Sequence, residues 1–256
     1  MRSLNLLFVL LLIHVLFSSC SQVKEYQSLK EGYYVNEYAL DLIRSKNMQL
    51  TRMPYLIPEF HFSNDTVHFF AGYDRMTASY TKTGNIYTLR DIYDQTEYLL
   101  TMTSDNTFVL KHNFYNGIEP TFNFTENKKT YPFKKSPHNF TQCLNEIAIA
   151  GNYEIIFPTE LAGEKIRFTA EGTIENFENF KKYTIPYDGD AAQMLYTVSG
   201  ENSIFLESNS GFDLYAWKYD RNKKDITLYA TTPPIPDIKG DQKIVRKAFQ
   251  FKKLDK

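Results

Sequence analysis

Cysteine is nearly absent: the 256 residues hold two, Cys20 and Cys143. A disulfide framework is thereby excluded, and so is any paired-cysteine metal motif. Tryptophan occurs once, at position 217, against 19 tyrosines and 20 phenylalanines. Neither sign of charge is in excess, with 29 basic and 30 acidic residues, so no broad field exists to recruit nucleic acid. Apolar runs of membrane-spanning length, about 18 residues or more, are missing. Helical periodicity is scarce, and no long helices alternate with strands, which argues against a parallel α/β sheet. There is no Gly-x-Ser-x-Gly elbow, no His-Glu-x-x-His and no phosphate-binding glycine loop. The expectation is a protein that is not an enzyme and holds no cofactor.

What the chain does have begins at its amino end. After Arg2 and Ser3, residues 4–20 are an apolar run that ends in Phe17-Ser18-Ser19-Cys20. One basic residue, a short apolar core and small residues before a cysteine make an export signal. The four closing residues resemble the lipobox of bacterial lipoproteins, with Phe17 where that family prefers leucine. The resemblance implies a signal peptide over 1–19, cleavage before Cys20, and acylation of Cys20 by palmitate-type chains. Several chains, at about 0.8 kcal/mol per buried methylene, give a stable anchor where one would not. Ser21 follows the cysteine, and in this family the absence of Asp there implies the outer membrane, with the side it faces left open. Cys143 then has no partner and reads as a small buried hydrophobe. Residues 20–30 are polar and read as a flexible tether.

Beyond the tether the pattern is that of short strands. Gly32 to Asn36 opens it, and 37–46 is the one clear helical stretch, with Tyr38 and Leu42 four residues apart. From Glu59 the period becomes two. Phe60 and Phe62 alternate with Glu59 and His61, and Val67 and Phe69 with Thr66 and His68, around an Asn64-Asp65 hairpin turn. Further strands are predicted at 76–81, 86–90, 97–103 and 108–112. Residues 126–147 break the rhythm with two Lys pairs and two prolines, and read as a connector that ends in a short helical turn near 141–147. Gly151-Asn152-Tyr153 restarts the pattern much as Gly32-Tyr33-Tyr34 began it. Strands then follow at 165–170, 195–198, 203–207, 212–219, 226–230 and 245–251.

The sequence therefore predicts an all-β protein, an antiparallel meander with one short N-terminal helix. A first lobe over 31–125 and a second over 148–256 form either one barrel or two in tandem. The Gly-aromatic first strand, short helix and meander resemble lipocalin-like, calycin-type barrels, with Tyr34 in place of the Trp of their Gly-x-Trp. Lys165, Arg167 and Lys218 fall mid-strand, against the outward apolar band of a membrane-embedded barrel.

Three stretches are candidate sites. Tyr215, Trp217 and Tyr219 alternate on one strand with Asp213 at its end, a stripe suited to an apolar or sugar-like ligand or to packing in a core. The hairpin places His61 opposite His68, with Glu59 on the same face, so the pair is a weak metal candidate that still needs a third ligand. Residues 231–243 hold Pro233-Pro234-Ile235-Pro236, either a lid or a stiff crossing, and Asp188-Gly189-Asp190 reads as a plain turn. Three Asn-x-Thr acceptor patterns, at Asn64, Asn123 and Asn139, are idle in a bacterial lipoprotein. The expected function is a lipid-anchored envelope protein that binds a small molecule or an envelope protein. A non-catalytic structural or assembly role is the alternative. Expected partners are the membrane through Cys20 and that ligand, with no nucleic acid.

Overall fold

The computed structural model describes residues 25–44, 57–71, 74–91, 97–111, 130–187, 201–220, 225–232 and 242–254. Eight strands make a first sheet: β1 (Gly32–Asn36), β2 (Glu59–Ser63), β3 (Thr66–Ala71), β4 (Asp74–Thr83), β5 (Ile86–Asp91), β6 (Glu97–Ser104), β7 (Thr107–Lys111) and β8 (Thr130–Ser136). Each pairs antiparallel with its neighbour, and β8 returns to β1 to close a barrel. Helix α1 (Glu37–Arg44) stands between β1 and β2, and α2 (Phe140–Ala148) follows the barrel.

Alternation decides which side chains fill it. In β2, Phe60 and Phe62 are buried while Glu59, His61 and Ser63 are half-exposed. The predicted hairpin forms in the expected register, Ser63 opposite Thr66, Phe62 opposite Val67, His61 opposite His68. Asn64 takes φ 52°, the left-handed conformation that such a two-residue turn requires. An eight-stranded barrel is just wide enough for side chains to fill, and here rings meet across it. Phe60 on β2 lies 5.6 Å from Phe108 on β7, and Phe62 on β2 lies 6.2 Å from Tyr87 on β5.

The second sheet holds β9 (Gly151–Phe157), β10 (Lys165–Phe168), β11 (Ile174–Glu175), β12 (Lys182–Thr184), β13 (Asn202–Ser208), β14 (Gly211–Asp220), β15 (Asp225–Thr231) and β16 (Ile244–Lys253). Its order, β11-β10-β9-β16-β15-β14-β13-β12, is again a meander with first and last strands adjacent. The edges β11 and β12 meet through a bridge between Thr173 and Lys182. Two backbone bonds flank it, Ile174 N–H to Lys181 O and Tyr183 N–H to Gly172 O, both 2.8 Å. Phe168, Phe177 and Phe251 are buried inside, in edge-to-face contact. The all-β, two-lobe expectation thus resolves into two eight-stranded meanders in tandem.

The repeated openings are repeated structure. Gly32 and Gly151 both have positive φ, 121° and 150°. Two residues on, Tyr34 and Tyr153 are buried, and each hydroxyl donates to the carbonyl four residues upstream, Lys30 at 3.0 Å and Ile149 at 2.7 Å. A lysine from the last strand of each sheet lies over the tyrosine ring, Lys135 at 6.0 Å and Lys253 at 5.6 Å. Each ammonium donates to the carbonyl just before the glycine, Glu31 at 3.0 Å and Ala150 at 3.1 Å. A Cβ at Gly151 would meet only the flexible end of Lys253, with Cε at 2.8 Å, so it is the backbone φ of 150° that favours glycine there.

Two stretches differ from the sequence expectation. The connector contains β8, the strand that closes the first barrel. Pro132 masks it, yet only 133–136 pair with β1, so the proline falls where the sheet has an edge and a missing N–H costs least. The tether, over its described residues 25–30, is docked rather than free. Tyr26 N–H donates to Asn85 Oδ1, Gln27 N–H to Asp105 Oδ1 and Leu29 N–H to the Tyr87 hydroxyl, at 2.7–2.9 Å. Tyr26 and Leu29 pack on the barrel core and close that end. Strands β11 and β12 are too short to leave a pattern. The expected strand at 195–198, the turn at 188–190 and the Pro-rich stretch at 233–240 lie outside the described residues. Among the described residues no helix is long and apolar enough to cross a membrane.

Candidate functional site

The aromatic stripe of β14 does occupy one face. Register aligns Tyr215 with Ile204, Trp217 with Leu228 and Tyr219 with Ile226, all three aliphatic partners being buried. The residues nevertheless part company along the strand. Trp217 is 6 % exposed, sits in the core, and donates its indole N–H to Ser203 O at 3.1 Å. Tyr219 is 40 % exposed near the far end of the strand. Tyr215 packs edge-on against Phe180 and Phe249. Burial, and then the Asp213 carboxylate, push its hydroxyl up to about 12, against the opposing pull of Arg246.

Of the four, only Asp213 and Tyr215 line a cleft, an open one of about 810 Å³. Its floor is a row on the side of the sheet away from the core: Thr184 pairs with Phe205, and Phe205 with Leu214. Thr231 continues that row, its hydroxyl lying 3.3 Å from Leu214 O. Phe212, 68 % exposed, projects beside Leu214. Gln242 borders the cleft and is 4 % exposed. Its Oε1 accepts from the Thr231 hydroxyl at 2.8 Å, and its Nε2 has no partner among the described residues. The lining thus joins an apolar floor to threonine hydroxyls, one carboxylate and one amide. Phe212 and Gln242 escaped the sequence reasoning because each sits at an element end, where periodicity gives no face.

His61 and His68 stand side by side on the outer surface of the first barrel, ring centroids 6.3 Å apart. Tyr33 stacks on His61 at 4.3 Å, and His68 Nδ1 lies 3.0 Å from the Thr77 hydroxyl. Among the described residues no three His, Cys, Asp or Glu side chains gather as a metal site. Glu59, the sequence's nearest third ligand, is engaged elsewhere. Its carboxylate accepts the backbone N–H of Phe140, the first residue of α2, at 2.5 Å. A negative charge is favourable at a helix N-terminus. Burial raises the Glu59 pKa, and that hydrogen bond partly offsets the rise. Asn139 caps the same helix, accepting from Gln142 N–H while the Gln142 side chain accepts from Asn139 N–H.

Cys143 lines a smaller hollow of about 220 Å³ between α1, β8 and α2. It is partly buried, and its Sγ lies 3.5 Å from the Ser136 hydroxyl. Desolvation raises its pKa, away from the thiolate that a nucleophile needs.

Fold and lining together define a class: a closed eight-stranded up-and-down β-barrel followed by an eight-stranded antiparallel sheet of barrel-like form, of lipocalin-like architecture, with a cleft lined by residues from both faces of the second sheet. Comparison with known proteins adds no relative, since no family model, no curated protein and no solved structure matches the chain.

Proposed function

We propose that this is a lipid-anchored binding protein of the bacterial cell envelope, held at the outer membrane through acylated Cys20, which takes its ligand on a surface cleft and performs no chemistry. The contrast between a filled barrel and an open cleft supports this reading most. Phe60, Phe62, Phe108 and Phe133 leave the first barrel occupied by its own rings, whereas about 810 Å³ stands open beside Phe205, Phe212 and Asp213. An apolar floor edged by hydroxyls and a carboxylate suits a small ligand with one greasy and one hydroxylated face.

A fluorophore on Thr184→Cys, in a Cys143→Ser background, tests the cleft. Glycan, lipid and peptide fractions of the envelope are added in turn. One fraction should shift the emission, and the shift should vanish in Phe212→Ala and Asp213→Asn. Silence with all three fractions, or a shift that survives both substitutions, would reject the cleft. A docking role in envelope assembly is the second reading, favoured by Val245, an apolar side chain 62 % exposed on β16.

A further inference from the structure

The cleft beside β14 restricts the chemistry of what it can hold. Thr184, Phe205, Leu214 and Thr231 succeed one another across the four neighbouring strands β12 to β15. Three inter-strand steps make that row about 14 Å long, well beyond the length of a single pyranose unit. Phe212 lies two residues before Leu214 and on the same face, so Phe205, Leu214 and Phe212 form one apolar platform. Phe212 is the most exposed large apolar side chain among the described residues, at 68 %. Charge is scarce there. Among the described residues Asp213 is the only ionised side chain of the lining, and no lysine, arginine or histidine borders it. Arg246, which acts on the Tyr215 hydroxyl, stands outside the lining. Charges on the strands around it pair with each other, Lys182 with Glu207 at 3.6 Å and Lys218 with Glu201 at 2.6 Å.

An anionic ligand would meet a carboxylate in this lining and no cation to offset it. An acyl chain needs an enclosed apolar cavity, and both interiors are taken up by their own rings, Phe60 and Phe108 in the first sheet, Phe168 and Phe251 in the second. A peptide adds to a sheet along an edge, whereas this row crosses four strands on a face. Resting on the cleft reading proposed above, we infer that the ligand is an uncharged oligosaccharide, laid across β12 to β15 with a pyranose ring stacked on Phe212. A pyranose carries C–H groups on its face and hydroxyls round its rim. The face meets the platform of Phe212, Leu214 and Phe205. The rim meets Thr184 at one end of the row and, at the other, Thr231 with the Gln242 amide beside it. An open cleft leaves the outer edge of the sugar in water, which its hydroxyls tolerate and an acyl chain does not.

The test is calorimetric titration of the full chain, held in phosphatidylethanolamine vesicles, with cellotetraose, maltotetraose, laminaritetraose, mannotetraose and tetra-N-acetylchitotetraose. At least one of these neutral chains should bind, and its disaccharide should bind several-fold more weakly. Phe212→Ala should weaken the tetrasaccharide by about tenfold or more. Phe212→Trp keeps an aromatic face and should retain the affinity. Binding that survives Phe212→Ala overturns the stacking site. Tighter binding of tetragalacturonate, or of cationic deacetylated chitotetraose, than of every neutral chain overturns the uncharged class. If all five neutral chains are silent while the lipid or peptide fraction shifts the Thr184→Cys label, the oligosaccharide is overturned and the cleft stands. Silence in both experiments overturns the cleft, and the oligosaccharide with it.

Discussion

Glu59 shows how much one side chain decides once its neighbours are known. In the sequence it is a polar residue alternating with phenylalanines; in the fold it joins the first barrel to α2 through Phe140 N–H. Its folded pKa is raised, so the folded state holds the proton more tightly than the unfolded chain. Its contribution to stability is therefore full below the unfolded carboxylate range and is lost as pH rises through the raised folded value. Glu59→Gln keeps an acceptor for Phe140 and removes the charge. Chemical denaturation should find this variant gaining on the parent as pH rises from the acid side to neutrality; a parent that gains instead would refute the assignment. Glu59→Ala leaves the N–H without its partner and should cost about 1–3 kcal/mol at neutral pH. Phe212→Ala, at a site 68 % exposed, should change stability by no more than about 0.5 kcal/mol while altering ligand response.

Elements are where sequence patterns were most legible. The His61–His68 register followed from one turn and strict alternation, because a slip of one residue would expose Phe60, Phe62, Val67 and Phe69 together. Strand β8 was hidden because Pro132 and the Lys134-Lys135 pair mimic a linker, and only closure with β1 makes them a strand. Glycine and tyrosine at the two openings hinted at a repeat, but the lysines that complete it lie about a hundred residues further on, Lys135 for Tyr34 and Lys253 for Tyr153. Gly151→Ala meets a backbone φ of 150° that an L side chain rarely adopts, while the end of Lys253 can move aside, so a drop in melting temperature equivalent to about 1 kcal/mol is expected. Tyr153→Phe removes one buried hydrogen bond and should cost about 1 kcal/mol. Phe60→Ala removes a fully buried ring that touches Phe69, Phe108 and Phe133, and calorimetry should register a loss of about 3–5 kcal/mol.

At the scale of the molecule, the proposed anchor and the folded body meet in residues 20–30. Cys20→Ser should move the protein from the detergent phase to the aqueous phase on phase separation, with no change in far-ultraviolet circular dichroism. Persistence in the detergent phase would show that something other than acyl chains holds it. Where the four residues of the β14 stripe end up is also decided at this scale. Trp217 belongs to the core and Tyr215 packs against it, while Asp213 and Tyr215 also line the cleft near the start of β14.

The sequence by itself determined what depends on neighbours along the chain: the apolar leader and the cysteine that ends it, the strand period, the hairpin register and the helix at Glu37. These are local sterics and local hydrophobic alternation, and a single chain displays them. Tertiary structure alone decided which strands close the first barrel and curl the second sheet, that the core of each is filled by rings from strands far apart in the chain, and which residues line the cleft. Those outcomes depend on which residues distant in sequence come within a few ångströms, and no periodicity records that.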